Sequence, residues 1–154
     1  MFSKLPLSAE TPLYIPNEAY ISSVTSYLRV LAEYVPVVWL SPRVEPHISS
    51  ETILHAGCDY DFQLRPGQET VFRNLEAAIS QSLADLPVMF MSQIELLNLS
   101  FPGDFLNCET LFWTDGDHFS DAGERRFGQR MQILNNAFRA LGIEEDTANL
   151  PHDN

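Results

Sequence analysis

The sequence predicts an α/β domain, a parallel sheet with helices on both faces. Apolar residues recur at helical spacing in three long segments. Two short, continuously apolar runs lie between those segments, and each directly follows a helix. Helix, strand, helix, strand, helix in that order belongs to layered α/β architecture rather than to a bundle or a sandwich. The 154 residues make about one domain. A chain of this length buries roughly 70% of its unfolded surface, enough for a core. With 45% hydrophobic and 11% aromatic residues, disorder is excluded.

Residues 1–16 carry Pro6, Pro12 and Pro16 and are expected to be extended or irregular. Asn17 then reads as an N-cap. Ile21, Val24, Leu28, Leu31 and Val35 follow at three- and four-residue steps, the stripe of an amphipathic helix that Pro36 stops. Val37 to Ser41, closed by Pro42, is short and apolar with a β-branched start, which predicts a strand buried on both faces. Residues 43–67 show no periodicity and hold Pro46, Gly57, Pro66 and Gly67, so a long loop is expected. A second helix runs from about Gln68 to Leu86, with Phe72, Leu75, Ile79, Leu83 and Leu86 on one face. Pro87 ends it, and Val88 to Ser92 is the second buried strand, in which Met89 and Met91 fill core space. An irregular stretch from about 93 to 110 leads to Leu111-Phe112-Trp113. The last helix spans about Ser120 to Leu141. Its stripe is Phe127, Met131, Leu134, Phe138 and Leu141, Asp121 and Glu124 sit in its first turn, and Gly142 is its C′ residue. The domain is thus expected over residues 1–143, followed by an acidic tail at 144–154.

Charge narrows the partners. With 21 acidic against 9 basic residues the net charge is -12, which repels phosphate backbones and anionic lipid and excludes nucleic acid as a partner. Apolar runs such as Val35 to Leu40 fall far short of the roughly 20 residues of a membrane span. Met1-Phe2-Ser3-Lys4 leads into Leu5-Pro6-Leu7 rather than a long apolar segment, so no signal peptide is expected. Cys58 and Cys108 share no metal-knuckle spacing. They are either two free thiols or, in an oxidising compartment, one disulfide whose loop-closure value is about 4 kcal/mol.

In open α/β sheets ligands gather beyond the carboxyl ends of the strands. The loop feeding the last helix reads Trp113-Thr114-Asp115-Gly116-Asp117-His118-Phe119-Ser120. Asp115 and His118 are three residues apart on a turn, so the carboxylate can reach back to the imidazole Nδ1. That contact fixes the tautomer and leaves Nε2 as a general base, the His–Asp half of a nucleophile triad. The adjacent helix N-terminus is expected to disfavour imidazolium and keep the base neutral. The same spacing also suits a solvated turn in which Asp117, Ser120 and Asp121 cap the helix. An EF-hand reading of Asp115, Asp117 and Asp121 fails, because Phe119, Ser120 and Arg126 fill its fifth, sixth and twelfth positions. No metal or cofactor is expected. His47 and His55, in the long loop, read as solvated rather than substrate-contacting, and Arg43, just past the first strand, is placed to bind a substrate anion, though a surface salt bridge is the commoner use of such a residue.

The block Leu111 to Met131, LFWTDGDHFSDAGERRFGQRM, resembles the final block of the SGNH/GDSL hydrolase superfamily. More narrowly it is similar to the C-terminal part of the SGNH domain attached to membrane acyltransferases that O-acetylate polysaccharides. In that pattern a cysteine precedes Leu-Tyr-x-Asp-x-x-His-Leu-Ser-x-x-Gly. Cys108, Leu111, Phe112, Asp115, His118, Ser120 and Gly123 occupy the matching places, with Phe119 for the usual Leu. Val37 to Pro46 also resembles that family's fourth strand and the loop after it.

The resemblance implies a three-layer, flavodoxin-like parallel fold, here lacking its N-terminal strands. It implies His118 as catalytic base and Asp115 as its orienting carboxylate. The substrate implied is an acylated carbohydrate or a small ester, and the setting is extracytoplasmic (periplasmic), which suits a Cys58–Cys108 disulfide. The family's Gly-Asp-Ser nucleophile block and its Gly-x-Asn-Asp block have no counterpart: Gly103-Asp104 is followed by Phe105, and Gly57 by Cys58. The serine is therefore expected from outside this chain, on an N-terminal partner segment or a membrane acyltransferase domain. The alternative is a non-catalytic α/β module that keeps the core and the capped turn alone.

Overall fold

The computed structural model describes residues 15–46 and 48–142. The readings of residues 1–14, of His47 and of the acidic tail lie outside the described residues.

The fold is mixed α/β around a small parallel sheet. Helix α1 (Glu18–Ala32) starts at Asn17, whose side chain accepts the Tyr20 N–H at 3.0 Å. Strand β1 (Val37–Leu40) follows, then α2 (Ser50–Ala56), α3 (Gln68–Leu83), β2 (Val88–Met91), α4 (Gln93–Leu97), α5 (Asp121–Arg130) and α6 (Ile133–Ala140). The strands pair in parallel, with Val37 opposite Val88 and Leu40 opposite Met91.

Neither strand is buried on both faces. Of β1 only Val37 is buried, and all four β2 residues are half-buried. Alternation along a strand explains this. Val37, Trp39, Val88 and Phe90 turn to one face, where they pack with Leu28 of α1 and Leu83 of α3. Val38, Leu40, Met89 and Met91 turn to the other face and are half-buried too. An apolar run marks a strand, but it does not report how many layers cover it.

Three other expectations change. The 43–67 segment is not structureless: Ser49 caps α2 by accepting the Thr52 N–H at 3.2 Å. The 93–110 stretch begins with α4, which Ser92 caps through the Glu95 N–H at 3.1 Å. Both helices are too short to show a period. The single last helix is two: the chain leaves helical bonding at Met131 and restarts at Ile133. Gly128, a poor helix former, lies just before the break. The restart within two residues keeps the apolar stripe nearly in phase, so periodicity cannot reveal the interruption.

Chain exits from the carboxyl ends of both strands run into a second, larger cluster. Ile48, Phe62, Leu97, Phe105, Phe112, Trp113 and Phe127 are its buried members. Trp113, Phe62 and Phe105 are fully buried, and the Trp113 indole N–H donates to the Asp104 carbonyl at 2.9 Å. Asp104 itself is buried between two guanidinium groups. Arg130 donates to both carboxylate oxygens at 2.8 Å, Arg126 Nε donates at 2.9 Å, and the Ser100 N–H adds a fourth bond at 2.8 Å. Burial pushes the Asp104 carboxyl up, but Arg130, the Ser100 amide and Arg126 outweigh it and hold the group below the usual carboxylate range. Arg126 and Arg130 are what fastens α5 to the loop before it.

Cys58 and Cys108 form a disulfide, with Cα atoms 4.8 Å apart. Among the described residues, no helix is long and apolar enough to cross a membrane.

Candidate functional site

The site is the turn between Trp113 and Phe119. Those two residues pair as an antiparallel bridge, and the Thr114 N–H donates to the His118 carbonyl at 2.9 Å, so residues 114–118 close into a compact loop. Asp115 organises it from inside. Its Oδ1 accepts the Asp117 N–H at 3.0 Å and the His118 N–H at 2.8 Å, the side-chain-to-backbone turn that aspartate forms readily. The loop rests on aromatic rings: Phe119 packs 4.5 Å from Trp113 and 4.5 Å from Phe127, centroid to centroid.

Ser120 joins this loop to α5. Its hydroxyl donates to the Leu111 carbonyl at 2.6 Å and accepts the Gly123 N–H at 3.1 Å, while its own N–H donates to the Phe112 carbonyl at 2.9 Å. Gly123 lets the helix approach so closely. A Cβ at that position would stand 2.0 Å from the Phe112 carbonyl oxygen, a backbone atom that cannot swing away. Gly123→Ala is therefore expected to cost about 3 kcal/mol, the upper part of the overpacking range. Urea unfolding would show it as a lowered midpoint, and an unchanged midpoint would mean that α5 sits farther from residue 112.

The structure brings His118 and Asp115 together. The imidazole Nδ1 lies 3.0 and 3.1 Å from the two Asp115 carboxylate oxygens. A second carboxylate, Asp117, reaches the same nitrogen at 2.9 Å, a partner that sequence reading had assigned only to helix capping. Nδ1 carries the proton in such an arrangement, and Nε2 is left as the basic atom. The His118 side chain is 70% exposed, so Nε2 is accessible to solvent and substrate.

The expected neutral imidazole needs correction. The Asp115 hydrogen bond, then the charges of Asp115 and Asp117, raise the His118 pKa above its ordinary value. Two carboxylates in contact outweigh the partial charge of a helix that begins three residues later. The same bonds, the Asp117 N–H foremost, hold the Asp115 carboxyl far below the usual carboxylate range.

Arg43 makes the salt bridge expected of it, with Glu45, but it is half-buried and has further partners. From the loop after β1 its guanidinium lies 4.2 Å from the Phe119 ring centroid and 5.5 Å from that of Trp113, and it donates to the Asp117 carbonyl. Cation–aromatic contacts of this kind contribute about 0.5–2 kcal/mol as they become desolvated. Its Nε makes no hydrogen bond, and Glu45 stands 3.8 Å away as an ion-pair partner. Burial raises the Glu45 pKa, Arg43 opposes that, and the Asp117, His118 and Asp115 charges also reach it. The loop after β1 and the His118 turn thus share one electrostatic environment. Arg43, Glu45 and Asp117 are the site residues that sequence reading did not assign. The signal present was positional, a cation and an anion framed by Pro42 and Pro46 just past a strand end.

His55, in α2, is exposed. Among the described residues, Asp115, Asp117 and His118 form the one group with ligand atoms, all within 4.8 Å, that could converge on a cation. Their atoms already bond to one another. No serine, threonine or cysteine among the described residues hydrogen-bonds to Nε2. Ser41, at the end of β1, is fully buried and accepts the Gln93 N–H at 2.8 Å, and Ser120 is spent on the cap.

Comparison with protein-family models, with curated proteins and with solved structures finds no match to this chain.

Proposed function

We propose that the His118–Asp115 turn is the general-base half of an SGNH-type Ser-His-Asp acyl-transfer site acting on carbohydrate acyl esters, in the C-terminal part of a three-layer, flavodoxin-like domain. The carrying observation is the Asp115 carboxylate at 3.0 Å from Nδ1 of an imidazole whose Nε2 faces outward. In this reading Nε2 removes the proton from a serine hydroxyl as the oxygen attacks the ester carbonyl. The imidazolium, stabilised by Asp115, then returns that proton to the departing alkoxide. The serine comes from a segment or chain outside these 154 residues, such as a membrane acyltransferase domain. An extracytoplasmic setting suits the disulfide.

A fluorophosphonate probe tests this on the polypeptide as its host makes it and on the isolated chain. The expected outcome is a labelled serine in the former only, with labelling abolished by His118→Ala. If neither preparation labels, the second reading stands, a non-catalytic α/β module. What favours that reading is the lack of a hydroxyl partner for Nε2 among the described residues.

The proposal also fixes a pH dependence. A general base works in its neutral form, so a raised His118 pKa moves the rise in rate to higher pH. The acyl-transfer rate should climb with a midpoint above about 6.5, the ordinary imidazole value. Asp115→Asn should bring the midpoint down. A rate independent of pH from 5 to 9 would exclude His118 as the base.

A further inference from the structure

We infer that Arg43 is the positioning residue of the His118–Asp115 pair, a clamp that holds both stems of the 114–118 turn against the loop leaving β1. The inference rests on the reading of His118 as a base.

The geometry is that of a clamp. Trp113 and Phe119 are the bridge pair at the two ends of the turn, and the Arg43 guanidinium lies over both rings. Its outer nitrogen donates to the carbonyl of Asp117, the residue between the two members of the pair and His118's second carboxylate partner. One planar group therefore touches the floor of the turn and its backbone. Lysine cannot replace it: an ammonium has no plane to stack and is more strongly hydrated. The clamp is itself restrained, since Pro42 precedes Arg43 and the backbone N–H of Ser41 donates to Met91 of β2 at 2.9 Å. Through Arg43 the sheet's register is passed to the imidazole.

The groups facing His118 are Asp115 and Asp117 from its own turn, and Arg43 and Glu45 from the loop after β1. A clamp and a nearby charge predict opposite effects. As a mere cation, Arg43 disfavours imidazolium, and its removal should raise the His118 pKa. As a clamp, it keeps the carboxylates on Nδ1, and its loss should lower that pKa.

Arg43→Lys keeps the charge and removes the plane. Arg43→Ala removes both. Histidine ring resonances of the labelled chain, titrated by NMR, read the pKa and the tautomer, and thermal melts show that each variant is folded. The expected result is a His118 pKa lower by about half a pH unit in Arg43→Lys, with a smaller Nδ1–H tautomer population. Arg43→Ala should move it the same way. An unchanged pKa in Arg43→Lys, with or without a rise in Arg43→Ala, overturns the clamp. Should Arg43→Ala fail to fold, Arg43→Lys decides. The titration needs no turnover, so it separates the two ideas. A wild-type His118 without a raised pKa or an Nδ1–H tautomer defeats the base reading. A normal titration in an inert protein defeats the chemistry and leaves the clamp in place.

Discussion

Reduction of the Cys58–Cys108 bond is expected to lower the unfolding free energy by about 4 kcal/mol, the chain-entropy value for a 50-residue loop. The bond joins the segment after α2 to the 107–110 turn that leads into Phe112 and Trp113. On one side of it Ile48 and Phe62 enter the larger cluster, with Ile53 and Ala56 packed against them. Phe105, Phe112 and Trp113 enter from the other side. Without the link the 48–62 cover must find its place by apolar contact alone. Urea unfolding of oxidised and reduced protein, with Cys58→Ser/Cys108→Ser beside them, measures the difference. Coincident midpoints would mean that the two halves hold together without the bond. Domains of this size carry about 5–15 kcal/mol in all, so the loss is a large share.

Where acyl transfer is assembled with its serine, His118→Ala should lower kcat/KM by about 10³–10⁴-fold, and Asp115→Asn by a similar factor. The asparagine keeps the shape of the turn but presents an amide where Nδ1–H needs an acceptor, and it no longer stabilises the imidazolium. Asp117→Asn distinguishes the two carboxylates. It leaves Asp115 on the ring and should cost far less. Equal losses at 115 and 117 would mean that they act as one acceptor, and a tenfold or smaller loss at 115 would remove the triad from consideration.

The His–Asp pair was legible in the sequence because its geometry is local: three residues apart on one turn, held by backbone N–H bonds to Asp115. The helices α1 and α3 and both strands were legible too, since period and proline placement mark them directly. Arg43 was not, because its partners lie 74 residues away in Asp117 and farther on in Phe119, and no spacing rule spans that distance. Asp104 was misread for the same reason. As part of Gly103-Asp104 it was tested as a failed nucleophile block, while its role as a buried partner of Arg126 and Arg130 depends on packing across α5. The break between α5 and α6 was hidden by a stripe that stays in phase across it. The cover of the strands was overestimated because a run such as Val37 to Leu40 records only that its residues are apolar.

The two apolar clusters have no buried member in common. One is built from the sheet with α1 and α3, and the other from the segments that carry the disulfide, the Asp104 ion pairs and the His118 turn. Such a molecule opens in parts rather than all at once, as cooperative units of unequal strength. Fraying of the sheet then reaches the turn through Arg43, a bond between units rather than within one.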